Sequence, residues 1–555
     1  MNNPVGIETP LDGANDAAVP MARAIWAASI GTAFEWYEFA LYGSLATVLA
    51  ARFFSGVDST TAFVFALLTF AIGFMTRPLG ALIFGRIGDM IGRKRTFLVT
   101  ICLMGISTIA VGCLPTYQSI GIAAPIILII LRIAQGLAAG GEYTGALTYV
   151  AEYSPPGRRG LNMSWTTAAT TAGLLLSFLV IYLSREISGD GFDSWGWRLP
   201  FLVSALLLAI SLGLRLKMDE SPAFQKLRRK KALSKAPVRD AFMDSKNVGR
   251  IFTAFALCAG MTAMYYMAAL YPTYFMTQTL KVDPKTVNTI VLAATAASLP
   301  FFPIAGWLCD RIGRKPALLI GYAATAALVF PVFHGIEQYA NPELAAAREK
   351  SPVVLQTDIS QCSLMFNPVG NRRFTSPCDT AKQALAALGI SYQVMDRGGS
   401  PMIRVGNATL AAYDGAALSD AGLKQQATRF SGELREMLTA QGYPAPGTSR
   451  QLNTTVIFLL LVVFLAFSVL TVMTIGPALV EMFPTRIRYT SMSVPYNLAT
   501  GWVGGLLPTV VFAISSQTGN IFSGLWYPVG WCGLSLVVLL IWFRETRDVD
   551  IMADG

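Results

Sequence analysis

Four ionisable residues lie inside long apolar runs of the chain, where such side chains are rare. They are Glu35 and Glu38 in the run 24–50, Arg77 in the run 61–85 and Arg132 in the run 121–145. A charge at the depth of a lipid bilayer is costly unless it faces a polar cavity and meets a partner, so these residues are candidates for a functional site. The pattern indicates a pathway for a polar solute through a membrane.

The two acids have the spacing of one helix face. Glu35, Glu38 and Tyr42 occupy positions i, i+3 and i+7, so an α-helix places them side by side. Two carboxylates that share a low-dielectric site do not both ionise easily, and one of them can carry a proton at neutral pH. We therefore predict that Glu35 or Glu38 exchanges a proton. The alternative is that both acids only neutralise Arg77 and Arg132 as structural partners.

The two arginines suit a carboxylate ligand. A guanidinium group presents several fixed donors and stays protonated in proteins. We predict that Arg132, and with it Arg77, orients an anionic group of a substrate. The alternative is a permanent lock between these arginines and the two acids, with no ligand contact.

The composition predicts an all-α protein that crosses a membrane many times. Hydrophobic residues make up 53% of the chain and charged residues only 14%. We predict about twelve helical spans, near 23–50, 61–85, 96–116, 121–150, 161–184, 199–217, 251–278, 286–305, 316–336, 453–481, 489–516 and 522–543. The first twenty residues lack Lys and Arg, so they do not form the basic start of a signal peptide and the first span is expected to stay attached.

Basic residues predict the orientation. Segment 215–250 contains eleven Lys and Arg residues, and further clusters at 92–95, 158–159 and 313–315 fall on the same side. By the positive-inside rule this side and both termini are cytoplasmic, which predicts a location in a bacterial inner membrane. The formal net charge of +10 therefore requires no nucleic-acid partner.

An internal repeat divides the chain into two halves. The stretch around Asp89, Gly85 to Lys94, recurs around Asp310, 221 residues later. The stretch Glu152-Tyr-Ser-Pro recurs as Glu481-Met-Phe-Pro, 329 residues later, so about 108 extra residues stand between these markers in the second half. The predicted units are a tail (1–22), a six-helix bundle (23–217), a basic linker (218–250), three helices of a second bundle (251–337), an insert (338–452), its last three helices (453–543) and a tail (544–555).

The two loop repeats resemble the loop signature of the major facilitator superfamily, Gly-x-x-x-Asp-Arg-x-Gly-Arg-Arg/Lys. The segment Arg132 to Gly136 is similar to the fourth-helix motif of that superfamily. The resemblance implies two six-helix halves with the substrate site between them. It also implies that Arg132 assists the proton site. Met90 departs from the signature, where an Arg is usual.

Further segments resemble the metabolite:proton symporter family within that superfamily. They are Glu35 to Phe39 with Tyr42-Gly43, Arg77 to Gly80, Gly140-Gly141-Glu142 and Trp195 to Phe201. The resemblance implies uptake of a small metabolite, such as 2-oxoglutarate, citrate, shikimate, proline or betaine, together with a proton. Many relatives carry Asp at the position of Glu38.

The resemblance also assigns a gating role to the repeated loops. In the superfamily the loop aspartate sits at a helix start of the opposite half, and the loop arginine pairs with the acid that ends the fourth helix. The residues that would close a cytoplasmic gate here are Asp89 and Arg93 with Glu152, and Asp310 and Arg314 with Glu481. The alternative is simple anchoring of charges at the membrane face.

The predicted spans of the second half contain almost no charge, which places the coupling chemistry in the first half. Their aromatic and amide groups can complete a substrate pocket, and the candidates are Tyr265, Tyr266, Tyr496 and Asn497, joined from the first half by Tyr42. Tyr271 and Tyr274 are expected to lie in the aromatic belt at the membrane interface.

The insert is predicted to be a small α+β domain on the periplasmic side, between spans nine and ten. Helix-like runs at 380–389 and 419–441 alternate with strand-like runs at 390–395 and 402–413. Its two cysteines, Cys362 and Cys378, are predicted to form a disulfide in an oxidising compartment.

Enzymatic and ATP-driven classes find little support. The chain has a single histidine, His334, and no P-loop motif, so neither a histidine-based site nor a metal cluster is predicted and no cofactor beyond a proton gradient is expected. We predict proton-coupled uptake of a small organic acid by a protein that works as a monomer in membrane lipid. The alternatives are uptake of a zwitterionic osmolyte such as proline or betaine, and a transporter-like solute sensor.

Overall fold

The computed structural model describes residues 13–56, 59–365, 373–444 and 452–552. In these ranges ten helices are long and apolar enough to cross a membrane, or eleven if the bent pair Pro284–Ala297 and Phe301–Ile312 counts as one span. The helix Gly13–Ser44, which packs lengthwise against Arg159–Ser188, completes the twelve. It carries the two acids Glu35 and Glu38.

The described residues of the first half contain nine α-helices. They are α1 (Gly13–Ser44), α2 (Ala46–Phe53), α3 (Ser59–Met75), α4 (Arg77–Met90), α5 (Arg93–Cys113), α6 (Tyr117–Ile120), α7 (Ala123–Tyr153), α8 (Arg159–Ser188) and α9 (Arg198–Leu216). The helix α1 begins ten residues before the predicted first span. The second span breaks at Thr76, where Pro78 removes a backbone donor and starts α4.

The linker and the start of the second half are also helical. Their helices are α10 (Pro222–Arg229), α11 (Pro237–Met243), α12 (Ser245–Ala269), α13 (Tyr271–Tyr274), α14 (Pro284–Ala297), α15 (Phe301–Ile312) and α16 (Arg314–Ala340). The predicted span 251–278 is not one helix. It breaks at Leu270 before Pro272 and continues into a π-helical turn, Phe275–Thr279, because proline cannot continue the helical hydrogen-bond ladder.

The insert between α16 and the next membrane helix is a small α+β domain. It comprises α17 (Pro342–Lys350), β1 (Val353–Thr357), α18 (Pro377–Ala387), β2 (Tyr392–Asp396), β3 (Met402–Val405), β4 (Ala408–Ala411) and α19 (Asp420–Ala440). The sheet order is β2-β1-β3-β4, with β1 parallel to β2 and the other neighbours antiparallel. The run 402–413 is a hairpin rather than one strand, because Gly406 turns the chain with a φ of 57°.

A disulfide joins Cys362 to Cys378 beside this sheet, with a distance of 5.3 Å between the two Cα atoms. Residues Leu355, Leu385 and Ile403 are fully buried and form part of the core of the domain. The central strand β1 is absent from the sequence prediction because five residues carry too short a pattern to separate strand from loop.

The chain then returns to the membrane. The last helices are α20 (Thr454–Met482), α21 (Arg488–Leu498), α22 (Leu507–Thr518) and α23 (Trp526–Ile541). A π-helical segment, Ala499–Gly504, links α21 to the loop before α22. The halves meet where α4 packs on α21 and where α8 packs on α15. At the second contact Gly160 faces Gly306, and a Cβ on Gly306 would come within 2.6 Å of the Gly160 oxygen, so only glycine allows this close approach.

Candidate functional site

The four ionisable residues predicted from the sequence converge in one crevice. Helix α1 contributes Glu35 and Glu38, α4 contributes Arg77, and α7 contributes Arg132. All four side chains are buried. An oxygen of Glu35 lies 3.6 Å from the nearest Arg77 nitrogen. These residues line one small cavity with Gln135. The structure thus brings together the acids and arginines that the sequence analysis singled out.

Arg132 is held by an amide and by aromatic rings instead of a carboxylate. Its guanidinium donates to the side-chain oxygen of Gln135 at 2.8 Å, and Gln135 donates to Thr108 at 2.6 Å. The guanidinium carbon lies 4.0 Å from the centre of the Tyr42 ring and 5.7 Å from that of Phe70. Cation–π attraction therefore fixes Arg132 against α1 and α3 without neutralising it.

Arg77 has a similar aromatic support. Its guanidinium carbon lies 4.9 Å from the centre of the Phe74 ring and 5.9 Å from that of Phe39. The rings of Phe39, Phe70 and Phe74 also contact one another, with centres 4.9 to 5.4 Å apart. The crevice is consequently a set of charged groups inside an aromatic wall.

Several buried polar atoms of the crevice lack hydrogen-bond partners among the described residues. Both carboxylate oxygens of Glu35, one of Glu38 and the Nε of Arg132 are of this kind. Such atoms are costly unless a proton, a water or a ligand reaches them. The cavity between them holds only about 30 Å³, far less than the several hundred Å³ of a typical small-molecule pocket. The crevice is contracted in this conformation.

The predicted second-half ligands do not line this cavity. The ring of Tyr496 packs on Tyr143, with centres 5.2 Å apart. Tyr265 packs beside Tyr266, with centres 6.4 Å apart. The amide of Asn497 donates to the backbone oxygen of Gly140 at 2.8 Å, so this residue joins the two halves. Their contact with substrate stays a prediction.

The sequence analysis missed a buried ion pair that lies further along α7 than the crevice residue Arg132. Glu142 of α7 pairs with Arg215 at the end of α9 and also accepts a hydrogen bond from Thr100 at 2.7 Å. Both charged side chains are fully buried. The sequence analysis counts Arg215 only within the basic segment 215–250. The motif Gly140-Gly141-Glu142 was visible in the sequence, but its partner was not.

The first repeated loop binds across the two halves. The carboxylate of Asp89 accepts the backbone N–H groups of Tyr489 and Thr490 at 3.2 and 2.9 Å, at the start of α21. Arg93 lies 3.2 Å from Asp89 and 3.6 Å from Glu152. A helix start favours an anion because its amide groups point outward.

The second loop repeats this geometry with the halves exchanged. Asp310 accepts the backbone N–H groups of Gly160 and Leu161 at 2.9 and 2.8 Å, at the start of α8. Arg314 lies 2.9 Å from Asp310 and 2.8 Å from Glu481. The six residues predicted to form a gate therefore form two matched clusters.

Each cluster contains one further arginine from across the interface between the halves. Arg159 of the first half donates to Glu481 at 3.1 Å, and Arg488 of the second half donates to Glu152 at 2.9 Å. The sequence analysis gave neither arginine a role. Each acid thus binds arginines from both halves, and the clusters hold the halves together at this end.

Each cluster also has an acid that caps a helix. Glu220 accepts the backbone N–H of Arg93 at 2.9 Å, and Glu545 accepts that of Arg314 at 2.8 Å. Partial burial raises the pKa of Glu545, but backbone donors from Arg314, Lys315, Arg547 and Thr546 outweigh it, so this pKa lies below its usual value. The sequence analysis missed both caps, because each acid lies more than 120 positions along the chain from the helix start that it caps.

Two bundles of membrane-length helices around a charged crevice are the architecture of a polytopic membrane protein. A profile of the Major Facilitator Superfamily matches residues 28–341, more than half of the chain. The chain belongs to this superfamily.

Curated relatives agree with the narrower resemblance. The proline/betaine transporter of Escherichia coli K12 is 39% identical over 321 residues, which cover 56% of this chain and 64% of the relative. The glycine betaine/proline/ectoine/pipecolic acid transporter OusA of Dickeya dadantii is 37% identical over the same length, with the same coverage. The match therefore spans less than two thirds of these relatives.

Solved structures share the fold at low sequence identity. The proton:xylose symporter XylE bound to 6-bromo-6-deoxy-D-glucose has a TM-score of 0.62 at 15% identity, covering 97% of this chain and 98% of that chain. The inward open conformation of the xylose transporter XylE from E. coli has a TM-score of 0.53 at 16% identity, covering 95% and 97%.

Proposed function

We propose that the protein is a proton-coupled symporter that takes up a zwitterionic osmolyte of the proline or betaine kind by alternating access. The names of the relatives support this substrate class over the organic acid that the sequence analysis favoured. The observation that carries the proposal is the crevice itself, which contains two carboxylates and two guanidinium groups behind aromatic rings.

Charge complementarity explains the preference for a zwitterion. The ammonium end of such a substrate can meet Glu35 or Glu38, whose oxygens include unpartnered ones, and its carboxylate end can meet Arg132. A dicarboxylate would bring its second negative group close to one of the two acids, which is costly in a low-dielectric site. The aromatic faces that now hold the guanidinium groups also suit a quaternary ammonium.

In this proposal, Glu35 or Glu38 carries the proton, and Arg132 with Arg77 orients the substrate carboxylate. The two clusters around Glu152 and Glu481 form the gate on the cytoplasmic side. The insert lies on the periplasmic side. A transport cycle then requires the clusters to separate and the contracted crevice to widen.

The test is uptake by purified protein in proteoliposomes. Labelled betaine and proline should accumulate when the outside is made acidic, and unlabelled 2-oxoglutarate should not compete. Accumulation of 2-oxoglutarate without uptake of betaine or proline would instead support an organic acid as the substrate. Counterflow of neither solute class, from protein that retains its fold, would contradict transport and favour the sensor.

A further inference from the structure

A second cavity lies where the insert meets the membrane helices. Its volume is about 710 Å³, within the range of about 300 to 1,000 Å³ that is usual for small-molecule sites. Helices α18 and α19 form one side of it, and α13 and α22 form the other. It shares no lining residue with the charged crevice.

Specific contacts hold the two sides of this cavity in place. The hydroxyl of Tyr392 donates to the backbone oxygen of Ser516 at 2.5 Å. The backbone N–H of Tyr392 donates to the backbone oxygen of Gly519 at 2.7 Å. Gly389, with a φ of 71°, packs so tightly that a Cβ would come within 2.1 Å of the Thr279 oxygen. The cavity is thus part of a fixed junction between the insert and the second half.

The lining is aromatic and uncharged. Its rings are those of Tyr271, Tyr274, Phe374, Tyr413, Phe430 and Phe512. None of its described lining residues carries a charge, so these residues offer no cation to a carboxylate and no anion to an ammonium group. The side-chain amides of Gln278 and Gln383 are exposed and offer hydrogen bonds at its edge. These features disfavour organic acids and betaines alike.

We propose that this junction is a binding site for one uncharged amphiphilic molecule with an aromatic body. The rings enclose the apolar part of the ligand, and the two glutamine amides bind its polar group. Because a bound molecule would touch both α19 and α22, it would strengthen the attachment of the insert to the membrane helices. Tyr271 and Tyr274, which the sequence analysis placed in an interfacial belt, are walls of this site.

The test compares two dyes that differ in charge. N-phenyl-1-naphthylamine is uncharged, and 8-anilino-1-naphthalenesulfonate has the same rings with an added sulfonate. Full-length protein in lipid nanodiscs should show saturable fluorescence with the uncharged dye, after subtraction of empty nanodiscs. The sulfonate should bind this site at least about tenfold more weakly.

Matched substitutions locate the binding. Ala427→Trp fills the cavity from α19 and should abolish the saturable signal, whereas Ala421→Trp changes an exposed alanine of the same helix and should leave it intact. Ala513→Trp fills the cavity from α22, which covers the case in which the first variant fails to fold. Folding of each variant is checked by its elution volume and its thermal unfolding.

Three results would overturn the proposal. They are a dye signal that rises linearly without saturation, equal saturable binding in the filled variants and the wild type, and equal affinity for the two dyes.

Discussion

Glu38 and Glu35 differ in their surroundings although they are one helical turn apart. Glu35 has Arg77 within 3.6 Å, while Glu38 has no ion pair within 4 Å among the described residues. Because a buried carboxylate without an ion pair gains most from binding a proton, Glu38 is the stronger candidate for the residue that is protonated and deprotonated in the proposed transport cycle.

Replacing Glu38 by Gln should therefore separate exchange from accumulation. A gradient of one pH unit can drive about tenfold accumulation per coupled proton, and Glu38→Gln should reduce this to no accumulation while labelled solute still exchanges. Uptake and exchange in proteoliposomes measure both quantities. Glu433→Gln, on the exposed face of α19, is the control. Full accumulation by Glu38→Gln would refute the assignment.

The buried pair of Glu142 and Arg215 predicts a stability effect. Glu142→Gln should lower the free energy of unfolding by about 3 kcal/mol, because it leaves the Arg215 charge buried without an anion. The double variant Glu142→Gln/Arg215→Met should recover most of this loss, since it removes both charges. Thermal and denaturant unfolding in detergent measure the effect. A double variant as unstable as the single one would contradict this explanation.

The helix ends at the two clusters hold the two halves together through reciprocal contacts. Each cluster places an aspartate on the first turn of a helix in the other half, and each acid at the end of α7 or α20 accepts an arginine from across the interface. Since the contacts are reciprocal, opening this end requires both sets to break.

Removal of one of these contacts should open the proposed gate and make buried positions between the halves accessible to solvent. Arg488→Gln deletes the donor to Glu152, and a loss of about 1.4 kcal/mol would raise the open population about tenfold. The readout is maleimide labelling of Thr148→Cys, a buried position between the halves, in protein whose five free cysteines are replaced by alanine.

The matched control for Arg488→Gln is Arg486→Gln, which removes an exposed arginine two positions away. It should leave labelling of Thr148→Cys unchanged. Equal labelling in both arginine variants would show that the contact of Arg488 with Glu152 does not hold the gate closed.

The molecule as a whole is asymmetric, because the second half alone carries an insert. The insert contacts the π-helical turn Phe275–Thr279 and α22, and Asn341 donates to the Leu280 oxygen at 3.0 Å. These contacts attach the domain to the second half. We expect it to move with that half when the crevice opens.

The proposed orientation can be tested with two single cysteines. Ser400→Cys lies exposed in the insert and Lys230→Cys lies exposed in the linker. In intact cells a membrane-impermeant maleimide should label Ser400→Cys, and Lys230→Cys should react only after lysis. The background again lacks the five free cysteines. The reverse labelling pattern would invert the topology and refute the cytoplasmic gate.

Composition predicted the membrane class, the repeats predicted the two halves, and helix-like and strand-like runs predicted the α+β insert. The superfamily was predicted from the resemblance of the repeated loops to its signature. These features depend on local hydropathy and on motifs that recur along the chain, such as those around Asp89 and Asp310. The four ionisable residues of the crevice could be chosen for the same reason, because a charge inside an apolar run is visible without knowledge of its partner.

The partners of these charges depended on packing between distant segments. Glu142 meets Arg215 across 73 positions, and Arg488 meets Glu152 across 336; no local pattern encodes either pair. The aromatic support of Arg132 and the cavity behind Tyr274 likewise arise only when separate helices come together. The preferred substrate class changed for a different reason, since the relatives are named as transporters of proline and betaine.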